Sequence, residues 1–219
     1  MNRGISNTPA RGDTAACDRR EEILTAATQL FAEQGFSDAV TQILADTLGV
    51  GKGTLYRHFP SKRALFLAAV DRVMTRLQEH VEEATKDIGD GLERVRRGVG
   101  AYLQFFREHT EYVEILVQER AQFHDRERPT YFEHRERNAA RWRHLYRTMI
   151  GDGRLRPDVT AERVSDVMSA ALYGAMFLND YGGRSGAFSI DAESIIDILF
   201  RGILSEAERS ATGPDPRLA

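Results

Sequence analysis

The 219-residue sequence is poor in several things at once. A single cysteine, Cys17, excludes an intrachain disulfide framework and a cysteine-rich zinc site. Proline occurs six times, and the stretch from Ser61 to Arg128 has none. No apolar run approaches the roughly 18 residues a membrane span needs. Residues 1–18 lack the apolar core of a secretion signal. Strand signals are nearly absent, with no sustained apolar–polar alternation and no hairpin dipeptide between apolar runs. Neither sign of charge dominates: 30 Lys+Arg against 33 Asp+Glu leave −3, which excludes a globally basic nucleic-acid coat but not a local patch. Hydrophobic residues at 42% suffice for a core, so the expectation is a cytoplasmic, all-α protein.

Catalytic signatures are missing too. From Arg76 to Ser210 there is no Gly-x-Ser-x-Gly, no His-Glu-x-x-His and no Cys-x-x-Cys. The six histidines (58, 80, 109, 124, 134 and 144) do not cluster with metal-ligand spacing, and Glu119, His124 and His134 read as surface groups. No enzyme activity, metal or cofactor is expected.

What is present is helical periodicity. Residues 1–18, rich in Gly, Asn, Thr and Arg, read as a flexible arm, and 211–219 as a frayed tail. The first helix is expected over about 19–34, with Ile23, Ala26, Ala27, Leu30 and Phe31 on one face. Asp18 and Glu21 have capping-box spacing, and Gly35 is placed to stop the helix. Two short helices follow, about 38–47 and 52–59. The first has apolar positions at Ile43, Leu44 and Leu48, and Pro60 ends the second. Ser61 is suited to cap a long helix reaching to about 86. Further helices are expected near 92–108, 110–124, 129–150, 160–181 and 191–208.

Residues 37–62 have the pattern of a helix-turn-helix. Gly49 permits the positive φ of the turn, small Ala45 lets the helices approach, and Val50 and Leu55 point inward. The other face of the second short helix is polar: Lys52, Thr54, Tyr56, Arg57 and His58. From 51 to 63 the chain carries Lys52, Arg57, Lys62 and Arg63 and no acid, a local +4. Such a stub suits a DNA groove and its phosphates. Ser61 and Lys62 open a helix, where backbone N–H groups and an ammonium can meet one phosphate. The Gly49-Val-Gly-Lys-Gly-Thr54 run is not a nucleotide-binding loop: Gly53 follows the lysine, Asp46 sits where the first glycine belongs, and no strand precedes it. Phe59 reads as core, Tyr56 as a DNA contact and Arg63 as a solvated charge.

The segment Leu48-Gly-Val-Gly-Lys-Gly-Thr-Leu-Tyr-Arg-His-Phe-Pro-Ser-Lys62, with Ala64-Leu65-Phe66 after it and Ile23…Phe31…Gly35-Phe36 before it, resembles the signature of the TetR family of transcriptional regulators. The resemblance covers about residues 19–70. It implies a helix-turn-helix domain (19–65) and a ligand-binding and dimerisation domain (66–210). It places Thr41, Lys52, Gly53, Thr54, Tyr56, Arg57, His58 and Lys62 at the DNA, with Lys62 on a phosphate. The sequence departs from the family in two places. Val40-Thr41 stands where the family usually has Thr or Ser then Val, and Gly51 stands where Ser is common.

The C-terminal helices carry bulky apolar residues on more than one face, so parts of them must be covered by something else. Tyr102, Phe105, Phe106, Trp142, Tyr146, Met149, Met176 and Phe177 are the candidate effector-binding residues, for an apolar or aromatic molecule. One short recognition helix reads about three to five base pairs, and half-sites one turn apart need a two-fold assembly. The resemblance implies a homodimer through the last two helices. Val167, Ala170, Ala171, Gly174, Ile195, Ile196, Leu199 and Ile203 are the candidates. It also implies a small effector held between helices four to eight, shifting a repressor off a palindromic operator. A helix-turn-helix DNA-binding protein without any small-molecule ligand is the alternative.

Overall fold

Two glycines set the course of the N-terminal chain. Helix α1 (Arg11–Asp38) breaks at Gly35, whose φ of 77° and ψ of 159° lie in a region essentially reserved for glycine. After α2 (Thr41–Thr47), Gly49 takes a φ of 61°. The Val50 N–H then donates to the Ala45 carbonyl at 2.9 Å, and the Gly49 N–H to that of Asp46 at 3.1 Å. This pair of bonds closes the helix end in a Schellman turn and leads directly into α3 (Lys52–His58). The chain continues through α4 (Lys62–Thr85), α5 (Gly91–Glu108), α6 (Thr110–Gln122), α7 (Thr130–Gly151), α8 (Ala161–Ser185) and α9 (Ala192–Arg201). The structure, a computed structural model, describes residues 11–185 and 190–201. Among these every regular element is an α-helix, as periodicity predicted.

The start of α1 differs from expectation. The helix already runs at Arg11, through the good helix formers Ala15 and Ala16, so residues 11–18 are not an arm. Asp18 therefore sits inside a helix with no orphan N–H to cap. Its expected box partner Glu21 instead pairs with Arg72 of α4, whose guanidinium also donates to the Thr25 hydroxyl at 2.9 Å.

The chain forms two compact units. One holds the residues up to Val73 together with Glu114–Glu127; the other holds Met74–Val113 and the chain from Arg128. In the first, Ile23, Ala27, Phe31, Leu44, Ala45, Leu55, Phe59 and Phe66 are buried as one core, while Ile43, an apolar position of α2, is 45% exposed. In the second, α5 packs on α7, α8 and α9, and α7 on α8. Asp90 caps α5 by accepting the Glu93 N–H at 2.9 Å and pairs with Arg154. The Arg154 guanidinium, with that N–H, holds its carboxyl below the usual range.

The two turn glycines are separable by stability. Gly49→Ala forces an alanine to φ 61° and is expected to cost roughly 1–2 kcal/mol. Gly51→Ala, at φ −68° with open space around it, is expected to stay within about 0.5 kcal/mol of the parent. Thermal denaturation of both variants checks the contrast.

Candidate nucleic-acid interface and effector cavity

The first unit holds an aromatic platform. Phe31, Phe36, Phe66 and Phe123 form a closed cluster, with Phe31–Phe66 at 5.0 Å, Phe36–Phe66 at 5.2 Å, Phe36–Phe123 at 4.8 Å and Phe66–Phe123 at 5.3 Å between ring centroids. Such edge-on pairs are worth about 0.5–1.5 kcal/mol each beyond burial. Two cations rest on it. The Lys62 ammonium lies 5.0 Å from the Phe36 centroid and donates to the Ser37 carbonyl at 2.9 Å. The Arg63 guanidinium lies 4.9 Å from that of Phe123 and pairs with Asp125 at 2.6 Å. The Asp125 carboxyl is lowered chiefly by that arginine.

Helix α3 buries one of its seven residues, Leu55. Lys52, Gly53 and Arg57 are exposed, and Thr54, Tyr56, His58 and Lys62 half-buried. Gly53 has open space where a Cβ would stand, so another backbone can approach it closely. Thr41 is the misfit among the expected contacts. It is buried, and its hydroxyl lies 3.1 Å from that of Tyr56. It therefore tethers the Tyr56 ring rather than facing outward. Val40, at the α2 N-cap, supplies no side-chain cap and is exposed, as is Ile43. Gly51 leaves α3 uncapped by a side chain. Ser61 caps α4, accepting the Ala64 N–H at 3.0 Å. That bond occupies one N–H expected to be free for phosphate. Asp125 neutralises Arg63, so the local charge falls from +4. No carboxylate among the described residues pairs with Lys52, Arg57 or Lys62.

The second unit contains a cavity of about 150 Å³. Tyr102, Trp142 and Tyr146, three of the effector candidates, line it, with Met74, Leu77, Val95, Val99, Met168 and Leu172 as apolar wall. Gly98 makes room for the indole: a Cβ there would stand 2.6 Å from Trp142 Cη2. Burial pushes the Tyr102 and Tyr146 phenols up, and that of Tyr131 to about 12, so all three are uncharged near neutrality. The remaining effector candidates lie off this wall. Phe105 packs among His80, Phe106 and Tyr112. Phe106 and Met176 border a second hollow with Leu103 and Arg107. Met149 covers Gly91, and Phe177 stacks on Tyr173 at 4.8 Å. Sequence reasoning missed Tyr131, Arg135 and Asn138, although with Trp142 they recur at helical spacing and the face could have been traced back from the indole. Phe123 and Asp125 had no local signal.

The dimer candidates divide by burial. Val167 (50% exposed) and Ala170 present surface, and Ala171, Gly174 and Leu199 are half-buried. Ile195 and Ile196 are covered within the protomer, where α9 packs on α5, so they offer no partner-facing surface. Ile203 lies outside the described residues. Leu178, Tyr181 (70%) and Ile198 are exposed and were missed. Glu119, read as a surface group, is buried and pairs with Arg126 at 3.3 Å.

Two short helices closing on a glycine turn, the second polar and acid-free on its outer face, make the first unit a helix-turn-helix of the kind that enters a DNA groove. Residues 23–69 match the family described as bacterial regulatory proteins, tetR family, and over this segment the chain is similar to that family. It is 32% identical over 101 residues to the HTH-type transcriptional activator FasR of Mycolicibacterium smegmatis, covering 46% of each chain. To the HTH-type transcriptional repressor AcnR of Corynebacterium diphtheriae it is 35% identical over 94 residues, 43% of this chain and 46% of that one. The chain thus spans about half the length of these curated relatives. The crystal structure of the transcriptional regulator FadR from Bacillus subtilis in complex with stearoyl-CoA superposes with a TM-score of 0.71 at 17% identity, over 84% of this chain and 99% of that one, a likeness of fold.

Gly98→Ala should drive the indole out of its seat at a cost of roughly 1–3 kcal/mol. Trp142 is the only tryptophan of the chain, so its emission spectrum and the thermal midpoint report the change directly.

Proposed function

We propose that this chain is a DNA-binding transcriptional regulator, a cytoplasmic homodimeric repressor released from a palindromic operator by a small apolar or aromatic effector. The observation that carries the reading is the outer surface of α3, where Lys52, Thr54, Tyr56 and Arg57 surround a bare Gly53 with no acid among them. The cations supply affinity through phosphate, and the hydroxyls are suited to base edges. Helix α4 supports a link to an effector: it carries Lys62 at its first turn and Met74, Leu77 and Val81 of the cavity wall further on. An effector preferring one setting of α4 would shift the operator-bound population. A 150 Å³ cavity suits a ring-sized molecule. It falls far short of a long acyl chain such as that bound by the Bacillus subtilis FadR.

Selection of duplexes from a random library with the full chain, followed by anisotropy titrations across salt, tests the DNA reading. Lys52→Ala and Lys62→Ala are each expected to weaken binding to all sequences and reduce the salt slope by about one, whereas Thr54→Ala changes sequence preference. Retention of affinity and slope in both lysine variants would overturn it. For the dimer, a charge on the exposed apolar face is the test. Tyr181→Glu with Ile198→Glu is expected to shift sedimentation toward the monomer and weaken operator binding together.

A further inference from the structure

The walls of the cavity have their charges already matched. Arg135 is paired with Asp166. Arg141 donates to Glu82 at 2.9 Å and to the Thr85 hydroxyl at 3.3 Å, and Glu82 also accepts the Gln78 amide at 3.1 Å. A carboxylate entering here would have to displace Asp166 or Glu82 from its arginine, and a cation would have to displace an arginine. Each exchange only trades an existing half-exposed ion pair for a new one, so an ionic guest gains little from the wall while it gives up its own hydration.

The hydroxyls are arranged differently. The Tyr102 hydroxyl lies 3.0 Å from that of Tyr131 and 3.6 Å from the Met176 sulfur, so its proton and a lone pair both have uses. Among the described residues Tyr131 has Tyr102 alone as hydrogen-bond partner, which makes it the end of the chain. When Tyr102 donates to Tyr131, the Tyr131 proton is left to be given into the cavity. Burial keeps both phenols neutral, so that proton is present. Without a guest, Tyr131 can donate back to Tyr102, whose proton then turns to the weakly accepting sulfur. A guest oxygen reverses the order and gains the better bond.

From this we infer that the cavity selects an uncharged, mainly apolar molecule carrying a hydrogen-bond-accepting carbonyl oxygen, such as a ketone or lactone, and that Tyr131 donates to that oxygen. The inference rests on the reading of this cavity as the effector site, but its test needs no DNA. Emission of Trp142 in the full chain is titrated with four probes of similar size: cyclohexyl methyl ketone, isopropylcyclohexane, cyclohexanecarboxylate and cyclohexyltrimethylammonium. The ketone is expected to bind about three- to tenfold more tightly than the hydrocarbon. Both ions are expected to bind at least about tenfold more weakly than the ketone. Tyr131→Phe should abolish the advantage of the ketone over the hydrocarbon while the hydrocarbon still binds, with a lower thermal midpoint because the buried Tyr102 hydroxyl loses its partner. The inference is overturned by an ion that binds as tightly as the ketone, by a ketone-to-hydrocarbon ratio that Tyr131→Phe leaves intact, or by no binding of any probe. A ketone that saturates Trp142 yet leaves operator affinity unaltered would uphold it while refuting the effector-release mechanism.

Discussion

Four phenylalanine rings in contact determine what the N-terminal unit can present. Phe31 and Phe36 come from α1 on either side of the break at Gly35, Phe66 from α4, and Phe123 from just beyond α6. The cluster packs the two parts of α1 against α4. Its rim also seats Lys62 and Arg63, whose charged groups lie over the faces of Phe36 and Phe123. A cation held over a ring and hydrogen-bonded to a carbonyl has lost much of its rotamer freedom in advance, so less entropy remains to be lost when a phosphate arrives.

The two units treat charge in opposite ways. On the outer face of α3 and the start of α4, Lys52, Arg57 and Lys62 have no acidic partner among the described residues, which leaves them open to the anionic polymer of the proposed function. Around the cavity, Arg135 and Arg141 are each matched to a carboxylate of the same unit. The polar capacity left over there belongs to hydroxyls and an amide rather than to ions. The two proposed modes of recognition thus follow one rule: a site takes the chemistry that its own neighbours leave unsatisfied.

Small residues have a comparable role on the cavity side. Gly98 is required because an indole occupies the space of its missing side chain, and Gly91 because Met149 does the same. Gly91 opens α5, and Gly98 lies in its interior, where it costs helix propensity of about 1 kcal/mol. They return close packing of α7 against α5, and with it the face of α7 from Tyr131 through Asn138 to Trp142 that forms the polar side of the cavity.

Much of this was legible without coordinates, because it depends on neighbours in sequence. The apolar spacing of 3.6 residues, the positive-φ glycines 35 and 49, the Ser61 cap and the acid-free run from 51 to 63 are local, and each determined a helix, a turn or a charged surface directly. Everything requiring two distant segments to meet was decided by tertiary packing. No local pattern says that Phe123 closes an aromatic cluster begun at Phe31, that Asp125 cancels Arg63, that Glu21 pairs with Arg72, or that Thr41 faces Tyr56 rather than solvent. Nor does periodicity distinguish Ile195, covered inside the protomer, from Ile198, left exposed on the same helix. An apolar stripe records that a face must be buried; which surface buries it depends on chain segments a hundred residues away.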